Sequence, residues 1–216
     1  MGGGSGAGTS GVWSSYFGSS LSYASSSGTA AASSPQTLQD ILLDDDEIIL
    51  MTGQSCGADS TAAGGCGYFR PGIPAYHGFG GADKIFLLEF AMPSTGTANQ
   101  PAIWLLNALI PRTQQYGSCT CWGNTNGCGE LDVFETLSTG STYMTSSIHG
   151  NQAGGDSDYF ARPTGSTIKA AIVLSGGQLQ ISILPAAFVF QAEMGASVVS
   201  TLMNVVGDVD SVVTLA

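Results

Sequence analysis

Between residues 83 and 184 the chain repeats one device: a short run rich in Val, Ile, Leu and Phe, then a cluster of Gly, Ser, Asn or Pro. Such runs occupy 84–92, 101–107, 129–137, 143–149, 167–174 and 178–184, and each reads as a strand. Gly176-Gly177 between two of them is a hairpin signal. Repeated short strands with turn punctuation predict an all-β sandwich or barrel and argue against a βαβ unit. Further apolar runs at 186–191 and 197–206 have sparse turn signals, and the pattern there does not separate strand from helix. Upstream, residues 1–12 read as a flexible Gly/Ser-rich lead-in, and 13–216 as one domain. Ser34-Pro35 offers an N-cap followed by Pro at the first helical position. With Leu38, Ile41 and Leu42 at helical spacing, this predicts a short helix over 35–42.

Only 10% of the 216 residues are charged, five basic against sixteen acidic, where a typical domain carries roughly 25%. Five Lys and Arg cannot neutralise a run of phosphates, so nucleic acid is excluded as a partner. An anionic membrane surface is disfavoured for the same reason. No apolar run approaches the roughly 18 residues of a membrane span. The five cysteines fall into two groups: Cys56 and Cys66 around a Gly-rich loop, then Cys119, Cys121 and Cys128. Their spacing fits no standard zinc pattern, whereas disulfides suit an exported Ser/Thr/Gly-rich chain. We expect Cys56–Cys66 to pair and one later cysteine to be left over. Met1 to Ser10 lacks a basic-then-apolar leader, so export implies a signal peptide outside this sequence. Asp44-Asp45-Asp46-Glu47 reads as a solvated loop, with a structural calcium ion as its alternative.

Three of the sixteen acids crowd into Glu130-Leu131-Asp132-Val133-Phe134-Glu135. As a helix this segment would set Glu130 and Asp132 about 200° apart. As a strand it puts both acids on one face, with Leu131 and Val133 on the other. Strict alternation then sends Phe134 to the acids and Glu135 into the apolar layer. A one-residue bulge at Val133-Phe134 removes both faults and returns Glu135 to the acid face. Crowded carboxylates cost Coulomb energy and raise at least one pKa, giving a proton donor beside an ionised partner. Two carboxyls roughly 5–5.5 Å apart are the equipment of a retaining glycosidase. An acidic edge strand that discourages aggregation and an oxygen-ligand calcium site are the other readings.

The string E-x-D-x-x-E on a bulged strand resembles the active-site strand of glycoside hydrolase family 16, the laminarinase-type β-glucanases. Pro101-Ala102-Ile103-Trp104-Leu105-Leu106 resembles that family's preceding strand, and Ser147-Ile148-His149-Gly150 the following one. The passage Pro101 to Thr136, with Tyr68-Phe69-Arg70-Pro71-Gly72 and Asp158-Tyr159-Phe160-Ala161-Arg162-Pro163, is closer still to the fungal "Target of SBF" family of cell-wall glycine-rich proteins. That resemblance implies a concanavalin/lectin-like β-jelly-roll sandwich with a concave substrate groove. It also implies a secreted or wall-associated enzyme that acts on β-1,3-glucan without a cofactor, as a monomer. Carried over by position, Glu130 would be the nucleophile, Glu135 the acid/base, and Asp132 the residue that holds Glu130. A transglycosylase with the same residues and a non-catalytic glucan-binding module are the alternatives.

Sugar rings stack on aromatic faces, and their hydroxyls want neutral polar partners. Trp104, Tyr116 and Trp122 are therefore candidate platforms, and Asn107, Arg112 and Asn151 candidate hydroxyl contacts. By the family pattern His149 would approach the leaving-group side. Core packing is the alternative for any of the aromatics, and a satisfied strand-end histidine for His149. Arg162, followed by Pro, is expected to anchor loops through a salt bridge.

Overall fold

Period-two alternation resolves into two four-stranded sheets whose inner faces share one apolar core. The computed structural model describes residues 2–3, 13–14, 18–21, 50, 54, 56, 66–67, 77–94, 99–108, 129–149, 157–191, 193–203 and 210–214. The expected helix at 35–42 and the acidic run 44–47 lie outside them. By its contacts the chain divides into two units. The first comprises residues 1–80, 106–130 and 149–153, and the second 81–105, 131–148 and 154–216.

In the first unit, three short strands pair: Gly2–Gly3 (β1), Trp13–Ser14 (β2) and Gly18–Leu21 (β3), with β3 central. The same unit holds the expected disulfide, Cys56–Cys66, whose Sγ atoms are 2.02 Å apart.

The second unit supplies most of the sandwich. One sheet has the order β11-β10-β9-β4 and the other β5-β6-β7-β8. Their strands are Lys84–Phe90 (β4), Ala102–Leu106 (β5), Glu130–Glu135 (β6), Tyr143–His149 (β7), Ser157–Ala161 (β8), Ile168–Ser175 (β9), Gln178–Leu184 (β10) and Asp210–Thr214 (β11). All six expected strands are present; β8 and β11 are additional. Gly176 and Gly177 adopt φ of 57° and 76°, as a two-residue turn with both φ positive requires. The turn sets the register Ser175↔Gln178 through Lys169↔Leu184.

Ala170, Ile172, Leu179 and Ile181 of the first sheet meet Leu131, Val133, Phe134, Met144 and Phe160 of the second. Phe134 sits between Phe90, 5.0 Å away, and Phe160, edge-on at 5.2 Å. The alternate residues of β9, Ala171 and Val173, face the other way and pack with Leu184, Leu202, Phe188 and Phe190. That outer layer explains the two ambiguous apolar runs. Residues 185–191 form an irregular strap rather than a strand. Lys169 Nζ donates to the carbonyls of Ala186 at 2.9 Å and Phe188 at 2.6 Å, and lies 5.8 Å from the Phe190 ring. Ala196–Met203 is a helix (α1), although Val198, Val199 and Thr201 are β-branched. Burial of Leu202 and the packing of Val198 against the sheet outweigh that preference. Its first amides, Val198 and Val199, donate to the Gly195 carbonyl at 3.0 and 3.2 Å.

Arg162 anchors loops as expected, but among the described residues its partners are uncharged oxygens in place of the expected salt bridge. Its guanidinium donates to the carbonyls of Met92 (2.8 Å), Pro93 (2.6 Å) and Ser141 (3.3 Å) and to the Asn99 side-chain oxygen. Burial pulls its pKa below the usual arginine value. A guanidinium offers five donors in a fixed planar fork, enough for all four of these acceptors, where an ammonium group has only three. Arg162→Met should strand these acceptors and cost about 2–4 kcal/mol. Thermal denaturation would measure that loss; an unchanged melting temperature would refute the anchoring role.

Asp83 ties the start of β4 to the Gly176-Gly177 hairpin. Its carboxylate accepts from Ser175 Oγ at 2.7 Å and from the Gly176 amide at 3.2 Å. The hydroxyl first, then the amide, lower its pKa below the ordinary 3.8. A depressed carboxyl pKa means the tie is complete above the unfolded value and is lost as pH falls through the folded one. The Gly176 amide resonance should therefore titrate with a midpoint below 3.8. A midpoint at or above the ordinary value would contradict the tie.

Candidate active site

On β6, Leu131, Val133 and Phe134 all join the core, and Val133 and Phe134 have no exposed surface. Successive strand residues point to opposite faces, so two neighbours turned inward mark an interruption of the alternation. This is what the expected bulge at Val133-Phe134 requires. Leu131 and Val133 inward put Asp132 outward, with Glu130 on the same side of the strand; Phe134 inward puts Glu135 outward as well. Ser146 Oγ donates to the Val133 carbonyl, which gives this buried hydroxyl an acceptor at the interruption.

Glu130 and Glu135 are half-buried and Asp132 is buried. Buried acids on an apolar sandwich need partners, and both Asp132 and Glu135 have them. Gly129 opens β6 at φ 90°, a left-handed conformation that a side chain strains. Its carbonyl accepts from the Asn107 amide at 3.3 Å, so Asn107 stands beside the start of the acid strand. At the end of β7, the imidazole of His149 has a ring nitrogen within 4.8 Å of a Glu130 carboxylate oxygen. Trp104 of β5 lies between Ile103 and Leu105, both packed on the core. It therefore faces outward, on the side of Asp132, and is half-buried.

Within the second unit, Asp132, Glu135 and Trp104 are turned away from the core that their strand neighbours enter; within the first, Asn107 and His149 stand beside Gly129 and Glu130. Arg112, Tyr116, Trp122 and Asn151 lie outside the described residues. Alternation on β7 and β8 puts further side chains on the outer side of the second sheet, away from the core. Met144, Ile148 and Phe160 face the core, leaving Tyr143, Thr145, Ser147 and Tyr159 on the outer side. The β7 half of that set was readable as Tyr143-x-Thr145-x-Ser147. His77 is placed against the Cys56–Cys66 disulfide, within 4.8 Å of its sulfurs.

A two-sheet all-β sandwich with an acid-bearing strand on one outer face is the class of protein these features define. The chain matches the family described as "Cell wall protein YJL171C/Tos1, C-terminal" over residues 1–202, and it belongs to that family. A Saccharomyces cerevisiae protein named "Probable circularly permuted 1,3-beta-glucanase TOS1" is 49% identical over 203 residues, covering 90% of this chain and 44% of that protein. A Candida albicans protein of the same name is 46% identical over 83% of this chain and 40% of its own length. A Schizosaccharomyces pombe protein, also named a probable circularly permuted 1,3-beta-glucanase, is 50% identical over 85% and 37% respectively. The chain therefore spans about two fifths of the length of these relatives. No solved structure matches it.

Gly129→Ala should cost about 1–3 kcal/mol, because alanine disfavours a positive φ. Chemical denaturation would show the cost. A variant as stable as the parent would mean that the entry into β6 relaxes without glycine.

Proposed function

We propose that this chain carries the catalytic face of a retaining endo-β-1,3-glucanase acting on cell-wall glucan. The observation that supports it best is the set of three β6 carboxylates turned out of a core that claims Leu131, Val133 and Phe134 between them. A neutral glycan gives no electrostatic reason to crowd three acids, whereas glycoside cleavage needs a carboxylate pair. The names of the relatives support β-1,3-glucan as substrate. In this reading the sandwich is a jelly roll related to glycoside hydrolase family 16, and residues 13–216 form its one working domain. The protein acts outside the cell or in the wall, as a monomer.

Glu130 attacks the anomeric carbon while Glu135 protonates the departing glycosidic oxygen. Glu135, now a base, then takes a proton from water, which releases the sugar from Glu130 with retained configuration. Asp132 holds Glu130 by a hydrogen bond and modulates its charge. Trp104 stacks on a sugar ring, and Asn107 and His149 contact hydroxyls at the Glu130 end. Arg112, Tyr116, Trp122 and Asn151 complete the sugar contacts. No cofactor takes part, and a calcium ion would serve only structure.

Laminarin incubated with the protein should yield new reducing ends, unaffected by a chelator. Glu130→Gln should lower turnover by about 10³-fold or more. An inactive parent protein would refute the reading, as would an equally active Glu130→Gln. Products longer than the starting oligosaccharide would reassign the chemistry to glucan transfer.

A further inference from the structure

On the last two strands of the second sheet, Tyr143 of β7 and Tyr159 of β8 stand on the outer side with their rings 5.5 Å apart, nearly perpendicular. They are 52% and 58% exposed, so neither serves the core. Residues that only protect a sheet edge are ordinarily charged or proline. Both tyrosines are held in place. The Ser141 hydroxyl donates to the Tyr143 carbonyl at 2.9 Å and accepts from its amide at 3.3 Å. The Asp158 carboxylate is turned onto its own chain, accepting the Tyr159 amide at 2.7 Å. Register puts Thr145 opposite Tyr159 and Ala161 opposite Tyr143, so their cross-strand neighbours on this face are uncharged.

We infer that Tyr143 and Tyr159 form a second binding platform for a neutral β-glucan chain, separate from the carboxylates. The inference rests on the glucanase reading for its choice of ligand. Phenol rings offer an apolar face for sugar C–H groups and a hydroxyl for sugar oxygens, and their cross-strand neighbours Thr145 and Ala161 carry no charge to favour an ionic partner. The face is continuous with the one that carries Asp132 and Trp104. From β6 to β8 is two strand spacings, roughly 10 Å, so the tyrosines stand within a few sugars of the strand that carries Asp132. Their part would be to retain polymer, leaving short substrates indifferent to them.

Affinity electrophoresis through gels containing soluble β-1,3-glucan tests this in the Glu130→Gln background, where the polymer stays intact. Tyr143→Ala/Tyr159→Ala should bind about ten-fold more weakly. Tyr143→Phe/Tyr159→Phe, which keeps the ring faces, should retain most of the binding. With the acids intact, the alanine pair should cleave a short oligosaccharide at the parental rate. Unchanged retardation of the alanine pair overturns the platform and leaves the glucanase reading standing. Retardation that depends on the tyrosines in a protein without hydrolytic activity upholds the platform and overturns that reading. Absence of any retardation overturns the platform. So does a dimer in sedimentation that the alanine pair abolishes, which would assign the patch to self-association.

Discussion

Two sheets can bury a common core only if each strand gives alternate residues to it, and β6 gives one more than alternation allows. Val133 and Phe134 are adjacent and both enter the same apolar cluster. Phe134, clamped between Phe90 and Phe160, fixes the strand at its point of interruption. With Leu131, Val133 and Phe134 all inward, the acids on either side have nowhere to go but out. The orientation of the carboxylates is thus set by the best-packed part of the molecule. Large aromatic side chains in close contact resist displacement more than any surface network could.

Layering adds a second constraint. The first sheet is covered on both faces, by the sandwich core and by the strap and α1. The second sheet is covered on its inner face, and its outer side carries Trp104, Asp132, Thr145 and the two tyrosines. The outer side of the second sheet thereby keeps polar positions on strands β5 to β8, which hold side chains rigidly.

Much of this was legible in the residues. The Gly176-Gly177 hairpin could be read because a two-residue turn with positive φ has a short list of acceptable sequences. The break in β6 could be read because regular alternation would have buried Glu135, and a buried acid is costly. Trp104 could be placed once Ile103 and Leu105 were assigned inward. Other parts left no local trace. Strand β8 is five residues long, with Phe160 as its main inward contribution, so its pattern is too brief to register. Helix α1 contains residues that favour strands and owes its form to the sheet it covers. The acceptors of Arg162 are mostly backbone carbonyls, which every residue possesses, so no sequence signal singled them out. The pairing of Tyr143 with Tyr159 depends on a register between strands that only the assembled sheet defines.

That Arg162 is met by carbonyl and amide oxygens has a meaning for acid conditions. A salt bridge at this position would fail once its carboxylate took up a proton, and the seam joining Met92, Asn99 and Ser141 would open with it. Carbonyl oxygens do not titrate in that range, and the guanidinium remains charged. The fastening to these oxygens is therefore indifferent to acidification, and with no counter-ion among the described residues it is less sensitive to salt as well. In a chain with sixteen acidic residues and only five basic ones, this fastening can hold while carboxylates elsewhere are being neutralised.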